Sequence, residues 1–339
     1  MTQQTKSLHR PSQRSNKAIM KKLLGHDIAV SAFLDRFNSG RFPHAWLFEG
    51  PVGVGKAHAA RMLASVVLGG DYQLGEGSLT VNDEDEIAHK IATGAHPDFR
   101  QVQRVPDNNG KIPQSISVDV IRDMNGFFEL RAAQGGYRVA IVDSVDELNA
   151  NSANALLKTL EEPPEKCLLM FIHHGSASLL PTIRSRCVKL NFSRLKDADL
   201  RACLGDDDIN EELLILCEGS PGRLREMAAL DGGVEMLRDL KAAMVDWPGI
   251  SAHRMPSVMA KISKTELHLE LASSFLAKKF SDMAQSESSG RARSLYASYW
   301  SRLYNVRTKA RRLNLDLAEQ SSQLLGLVRD LSNEMRATA

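Results

Sequence analysis

Three stretches of this chain carry residues whose types and spacing suit chemistry on phosphates. Gly50-Pro51-Val52-Gly53-Val54-Gly55-Lys56-Ala57 fits the G-x-x-x-x-G-K part of a phosphate-binding loop. In such a loop backbone N–H groups and a helix N-terminus surround the phosphates while the lysine neutralises the terminal one. Gly50, Gly53, Gly55 and Lys56 keep that anion cradle, but Ala57 stands where Ser or Thr would ligate Mg²⁺. Asp143 ends the apolar run Val139-Ala140-Ile141-Val142 and is placed to hold a metal directly or through water. Ser144 follows it, where a hydrolase has Glu to polarise the attacking water. Asp146 is a candidate substitute base; two residues further along, it is expected to point elsewhere as a solvated carboxylate. Downstream comes Arg184-Ser185-Arg186-Cys187. An arginine offered by a chain whose own pocket lacks both groups points to an arginine that works on a neighbouring subunit.

These residues need a scaffold, and the hydrophobic pattern supplies one. From Phe42 to about Phe192, short apolar runs alternate with amphipathic segments, the pattern of a parallel sheet flanked by helices. Ala45-Trp46-Leu47-Phe48 predicts a buried strand entering the loop, and Ala59 to Leu68 predicts the helix leaving it. Val139 to Asp143, Leu168 to Ile172 and Val188 to Phe192 predict three more strands, with Asp143 at a carboxyl end, where ligands collect in open α/β sheets. The run from Asn154 predicts a helix stopped by Pro163-Pro164. Strand signals end near Ser193 and helical spacing takes over, punctuated by Gly219-Ser220-Pro221-Gly222-Arg223 and Trp247-Pro248-Gly249. The expected organisation is a flexible tail over 1–20, an α/β P-loop domain over 21–192, a small helical lid over 193–246 and an all-α domain over 247–339. The acidic, glycine-containing insertion from Gly69 to Ala95 gives no structural prediction.

Composition narrows the function classes. At 339 residues two or three domains are expected, and 43% hydrophobic with 25% charged residues is ordinary for a globular protein. A formal net charge of +2 makes any nucleic-acid contact a matter of a local patch. Cys167, Cys187, Cys203 and Cys217 fit neither a zinc site nor a disulfide scaffold, which suits a reducing cytoplasm. Met1 to Lys17 is polar and basic with no apolar core, so it reads as a tail rather than a signal peptide. No apolar run reaches the roughly 18 residues of a spanning helix, so no membrane partner is expected.

The segment from Arg291 to Arg312 holds seven basic and no acidic residues, interleaved with Tyr296, Tyr299, Trp300 and Tyr304. Base stacking with phosphate contact is one reading. The favoured one is a packed oligomer face, because Tyr296, Trp300 and Tyr304 recur every four residues. His173 and His174 have no partners at ligand spacing, so no metal is expected there.

Together these stretches resemble the clamp-loader branch of the AAA+ ATPases. The likeness rests on the run His44 to Pro51 before the lysine, on Ala153 to Pro164, and on Leu180 to Cys187, of which Ser185-Arg186-Cys187 is the most specific part. Leu313-Asn314-Leu315-Asp316 before an apolar helix extends it over 20–335. The resemblance implies a RecA-like AAA+ domain, a lid and an oligomerisation collar, in a ring that places a sliding clamp on primer-template DNA during replication. Ala57 and Ser144 resemble a subunit that does not hydrolyse ATP, in contrast to the gamma/tau motor. Its partners would be gamma/tau and delta subunits, with clamp and DNA reached through the complex. Arg186 corresponds to the arginine finger acting in trans, and Arg184 to a structural neighbour. Arg223 corresponds to the arginine that reaches phosphates from the lid, with plain helix-surface placement equally open.

No cofactor is required on this reading, although ATP or ADP binding without hydrolysis remains compatible with it. The four-cysteine zinc module such subunits often carry has no counterpart in Gly69 to Ala95, so no zinc is expected. His173-His174-Gly175 also departs from the Thr or Asn that senses nucleotide. The rival is a gamma/tau-like or other AAA+ DNA-maintenance ATPase using Lys56, Asp143 and a relocated base, opposed by the paired loss at Ala57 and Ser144. A DNA-binding adaptor acting through Arg291 to Arg312 is opposed by the low overall charge.

Overall fold

Continuous apolar runs make the main sheet, because a strand covered on both faces has no polar side to show. The computed structural model describes residues 22–75, 77–82, 84–106, 112–133, 135–175, 179–204, 210–313 and 316–338; the tail expected over 1–20 lies outside them. These residues fall into two compact units, Met1–Asp206 with Gly219–Pro221 and Asp207–Glu218 with Gly222–Ala339. The first begins β1 (Lys22–Leu24), α1 (Asp27–Asn38), β2 (Ala45–Glu49), α2 (Lys56–Val67), β3 (Tyr72–Gly75), β4 (Ser78–Val81) and α3 (Glu86–Thr93). It continues with β5 (Phe99–Gln103), α4 (Val118–Glu129), β6 (Arg138–Asp143), α5 (Ala150–Glu161), β7 (Cys167–His173), α6 (Pro181–Arg184), β8 (Val188–Asn191) and α7 (Asp197–Leu204).

The five-stranded sheet has the order β5-β6-β7-β2-β8 and every pairing is parallel. The period of two along each strand sorts side chains between two cores. Trp46, Phe48, Val139, Ile141, Met170 and Ile172 face one core with Phe33 of α1 and Leu63 of α2. Leu47, Ala140, Val142, Leu169 and Phe171 face the other with Ile121 of α4 and Leu156 of α5. Helix α5 starts where the Asn149 side chain accepts from the Ser152 N–H and stops before Pro163-Pro164.

Several elements are absent from the sequence reading, among them β5 and the elements of the insertion. β5 pairs at the sheet edge beside β6, and the insertion folds as the β3-β4 hairpin, joined antiparallel to β1, followed by α3. The helix after the loop begins at Lys56, earlier than the predicted Ala59, because the φ of +106° at Gly55 starts it directly from the turn.

The second unit is all-helical among its described residues: α8 (Glu211–Leu216), α9 (Pro221–Ala228, from Gly222 onward), α10 (Gly233–Ala243), α11 (Met255–Ile262), α12 (Glu266–Ser286), α13 (Gly290–Leu313) and α14 (Leu317–Thr338). Among the described side chains of α13 the buried positions are Ala292, Tyr296, Tyr299 and Leu303, while Trp300 is 47% exposed. Of the face expected from Tyr296, Trp300 and Tyr304, Tyr296 packs within the unit and Trp300 is left outward. At 3.6 residues per turn, steps of four drift by about 40° each, and alternating four with three keeps one face inward. The Tyr304 side chain lies outside the described residues. Tyr296 accepts from Trp247 Nε1 at 2.9 Å and the Tyr299 hydroxyl donates to Glu334 at 2.7 Å, so both aromatics are tied within the unit. No described helix is long and apolar enough to cross a membrane.

Candidate functional site: the phosphate loop and the Arg186 turn

β2 delivers the chain to the loop, and the loop is pinned from below. Phe192 N–H donates to the Glu49 carbonyl at 2.8 Å and Gly50 N–H to the His173 carbonyl at 3.3 Å. A Cβ on Gly50 would overlap the Phe192 carbonyl oxygen and lie 3.0 Å from its carbon, so this glycine is required by packing against Phe192. Gly53 and Gly55 have φ of +77° and +106°, the left-handed region that glycine enters without strain. His26, buried at the start of α1, donates from Nε2 to the Val54 carbonyl at 2.8 Å and packs on Phe192 at 4.7 Å. Burial lowers its pKa, which favours the neutral imidazole that makes this bond. Nothing in its spacing from the loop, 24 residues upstream of Gly50, marks His26 in the sequence.

Lys56 heads α2 and is 3% exposed. Its ammonium donates to the carbonyls of Gly50 and Pro51. Burial pulls its pKa down to about 8, against the opposing charges of Asp146 and Asp143. Asp143 ends β6, and burial raises its pKa against the nearby His174, Arg61 and Lys56. His174 Nε2 lies 3.9 Å from its Oδ1.

Asp146 corrects the expectation of a solvated carboxylate. Its side chain is 3% exposed, its Oδ2 accepts from the His174 backbone N–H at 2.7 Å, and its Oδ1 is 3.6 Å from His173 Nε2. The short helical turn Val145–Glu147 folds it back under the loop instead of continuing the strand direction. Ser144 is 2% exposed, so it presents no group to a substrate.

Lys56, Arg61, Asp143, Asp146 and His174 therefore form one charge cluster beneath the loop. Ala57 supplies no oxygen, and the carboxylate of Asp143 is already faced by Arg61 and His174, so this donor set does not fit a Mg²⁺ ion.

The second candidate sits at the sheet border. Arg186 occupies the turn between α6 and the edge strand β8. Its side chain is 36% exposed, Nη1 donates to the Thr182 carbonyl at 3.0 Å, and Nη2 meets Glu161 at 2.9 Å. Arg184 turns the other way and donates to Glu49 Oε1 at 2.8 Å. Arg223 belongs to the helical unit, where its guanidinium meets Ser274 at 2.5 Å and Glu270 at 3.7 Å. Gly50, Gly53, Gly55, Lys56 and Asp143 are thus brought together, Arg186 stands apart from them on the sheet edge, and Arg223 is held by α12. Glu49, which falls within the His44 to Pro51 run but is assigned no role there, and Arg61, which carries no motif position, become visible as site residues only through the charges they face.

Residues 25–196 match the family described as DNA polymerase III, delta subunit. The DNA polymerase III subunit delta' of Pseudomonas aeruginosa is 36% identical over 184 residues, covering 52% of this chain and 53% of that protein. The DNA polymerase III subunit tau of Bacillus subtilis is 30% identical over 245 residues, covering 71% of this chain and 40% of that one. This chain spans about half the length of the curated relatives it matches. Among solved structures, a DNA polymerase III gamma subunit-related protein of Thermotoga maritima superposes with a TM-score of 0.51 at 15% identity, covering 90% of this chain and 99% of that one. That likeness shows the fold, a parallel α/β sheet unit followed by a large helical region, as the sequence predicts.

Proposed function

The chain belongs to the DNA polymerase III, delta subunit family, and from that premise we propose that it is a delta-prime-like subunit of a bacterial clamp loader. In this role it is a rigid member of an ATP-driven ring with gamma/tau and delta subunits. The ring opens a sliding clamp and places it on primer-template DNA in the cytoplasmic, nucleoid-associated replisome. The chain itself hydrolyses nothing and needs neither metal nor zinc. The helical unit provides the collar, and Arg186 enters the neighbouring subunit's active site.

The observation that carries this reading is the contrast between a pocket closed on its own charges and an arginine on the sheet border. Ala57 and Ser144 remove the metal hydroxyl and the water-activating carboxylate, while Lys56 is turned onto its own loop. Arg186 leads into an edge strand, where another subunit can approach. A guanidinium offered there stabilises charge that develops on a transferred phosphoryl group, the step for which such arginines serve. The rival motor would need Asp146 as its base, and that carboxylate is committed to the His174 N–H.

Gel filtration of the purified chain mixed with its gamma/tau and delta subunits tests the assembly, with one stoichiometric species expected. Elution of the chain alone would end the reading. Phosphate release by the isolated chain, compared with Lys56→Ala, separates the two readings; turnover abolished by that substitution would make it a motor.

A further inference from the structure

Glu49 closes β2 immediately before the phosphate loop, and its side chain is 25% exposed. Three cationic or protonatable groups converge on it: Arg184 at 2.8 Å and His173 Nδ1 at 3.2 Å on Oε1, and Lys189 at 3.8 Å on Oε2. Behind it, His173 is 4% exposed and faces Asp146, which in turn holds the His174 backbone. The Glu49 main chain is fixed as well, its carbonyl accepting from Phe192. Both ends of this residue are therefore anchored in the sheet.

The element on the other side of the Arg184 pair is weakly determined by itself. α6 is four residues long and is preceded by Leu180, which offers no side-chain cap. Helices this short have no stability of their own and take their position from what they pack against. Ile183, fully buried, anchors one side of α6, and the Arg184–Glu49 pair anchors another. Arg186 in turn rests its guanidinium on the carbonyl of Thr182, which belongs to α6. The position of α6 therefore sets one of the two contacts that hold this guanidinium, the other being Glu161 of α5.

We propose that Glu49 is a positioning residue for Arg186, acting through Arg184 by fixing the short helix on which Arg186 rests. The inference builds on the trans role of Arg186 proposed above. It assigns the carboxylate before the phosphate loop to the neighbour's reaction and away from this chain's own pocket.

The test uses the reconstituted complex of gamma/tau, delta and this chain, with clamp and primed DNA present. Glu49→Gln keeps the shape and removes the charge, and Arg184→Gln probes the same pair from its more exposed end. Each is expected to lower kcat for ATP by up to about fivefold, the size expected of a partly exposed ion pair, with KM and subunit stoichiometry unchanged. The decisive comparison adds Arg186→Ala. If Glu49 acts through that arginine, neither substitution lowers the rate further on the Arg186→Ala background. A further loss there, or a drop caused by dissociation in both single variants, would show a merely structural role. If Arg186→Ala alone leaves the rate unchanged, the trans role and this inference fall together. If it lowers the rate while Glu49→Gln and Arg184→Gln do not, only the positioning role falls.

Discussion

Lys56 and Arg186 are two of the cations the sequence marks out, and the sheet treats them in opposite ways. Lys56 is 3% exposed, turned onto the carbonyls of Gly50 and Pro51 and surrounded by Asp143 and Asp146. Arg186 is 36% exposed and held by one carbonyl of a four-residue helix and by Glu161, itself half exposed. An ion pair in that setting contributes about 1 kcal/mol or less, so a phosphate approaching from outside can compete for the guanidinium. A buried cation among buried carboxylates offers no such exchange, because removing either partner leaves an uncompensated charge. The loop has kept its shape as packing, and the exchangeable guanidinium lies on a short helical turn at the sheet border.

The largest separation between the two is expected from Arg186→Ala. On the trans reading it removes a group worth about 10³–10⁵ in rate at one site, roughly 4–7 kcal/mol. Other sites of the ring keep their own arginines, so the rate of the whole complex falls only in part. The loss should appear in kcat of clamp- and DNA-stimulated hydrolysis, with assembly intact. The isolated chain should keep its stability within about 0.5 kcal/mol, because the side chain is partly exposed. Arg184→Ala, measured in the same complex, should have the smaller effect. An unchanged stimulated rate for Arg186→Ala would erase the contrast.

Gly50→Ala attacks the comparison from the other side. The new Cβ meets backbone of Phe192 and has no flexible neighbour to displace. Loss of about 2–4 kcal/mol is expected, from overpacking against main chain, and the urea midpoint of the isolated chain measures it. A loss below about 0.5 kcal/mol would mean that the loop moves away from β8 with ease and is not fixed architecture.

How much of this is legible in the sequence follows from where the information lies. The strands Ala45–Glu49, Arg138–Asp143 and Cys167–His173 are apolar along their length, and burial on both faces writes itself into composition. β5, Phe-Arg-Gln-Val-Gln, sits at the edge with only Phe99 and Val102 buried, so it carries half the signal and escapes the pattern. The hairpin of β3 and β4 is short: every residue of β3 is exposed, and the alternation of β4 spans only four residues. In the site, the motif residues are readable because glycine and lysine spacing is local. His26, Glu49 and Arg61 act through contacts distant in sequence, and the expectation of a solvated Asp146 fails because a three-residue helical turn sets where it points. On α13, the side packed within the unit (Ala292, Tyr296, Tyr299, Leu303) alternates steps of four and three, which counting in fours does not pick out.

The smallest effect is also the most direct probe of the closed pocket. Burial lowers the pKa of Lys56 from 10.5 to about 8. Between those values the unfolded chain holds a proton on this lysine that the folded chain has released. Stability therefore rises with pH across that window, since it increases wherever the unfolded state binds more protons. Below about pH 8 both states are charged and the folded chain bears the full burial penalty; above about pH 10.5 both are neutral and the penalty is gone. In Lys56→Met the titrating group is absent, while every other lysine and tyrosine still titrates, so the difference between the two proteins isolates this residue. Urea midpoints at about pH 7.5 and 10.5 should show the parent gaining on Lys56→Met by at most ~3 kcal/mol, since each pH unit between the two pKa values is worth about 1.4 kcal/mol. A difference that does not change with pH would mean that Lys56 titrates alike in both states. Its charge would then be solvated, and the pocket would be open rather than closed on its own charges.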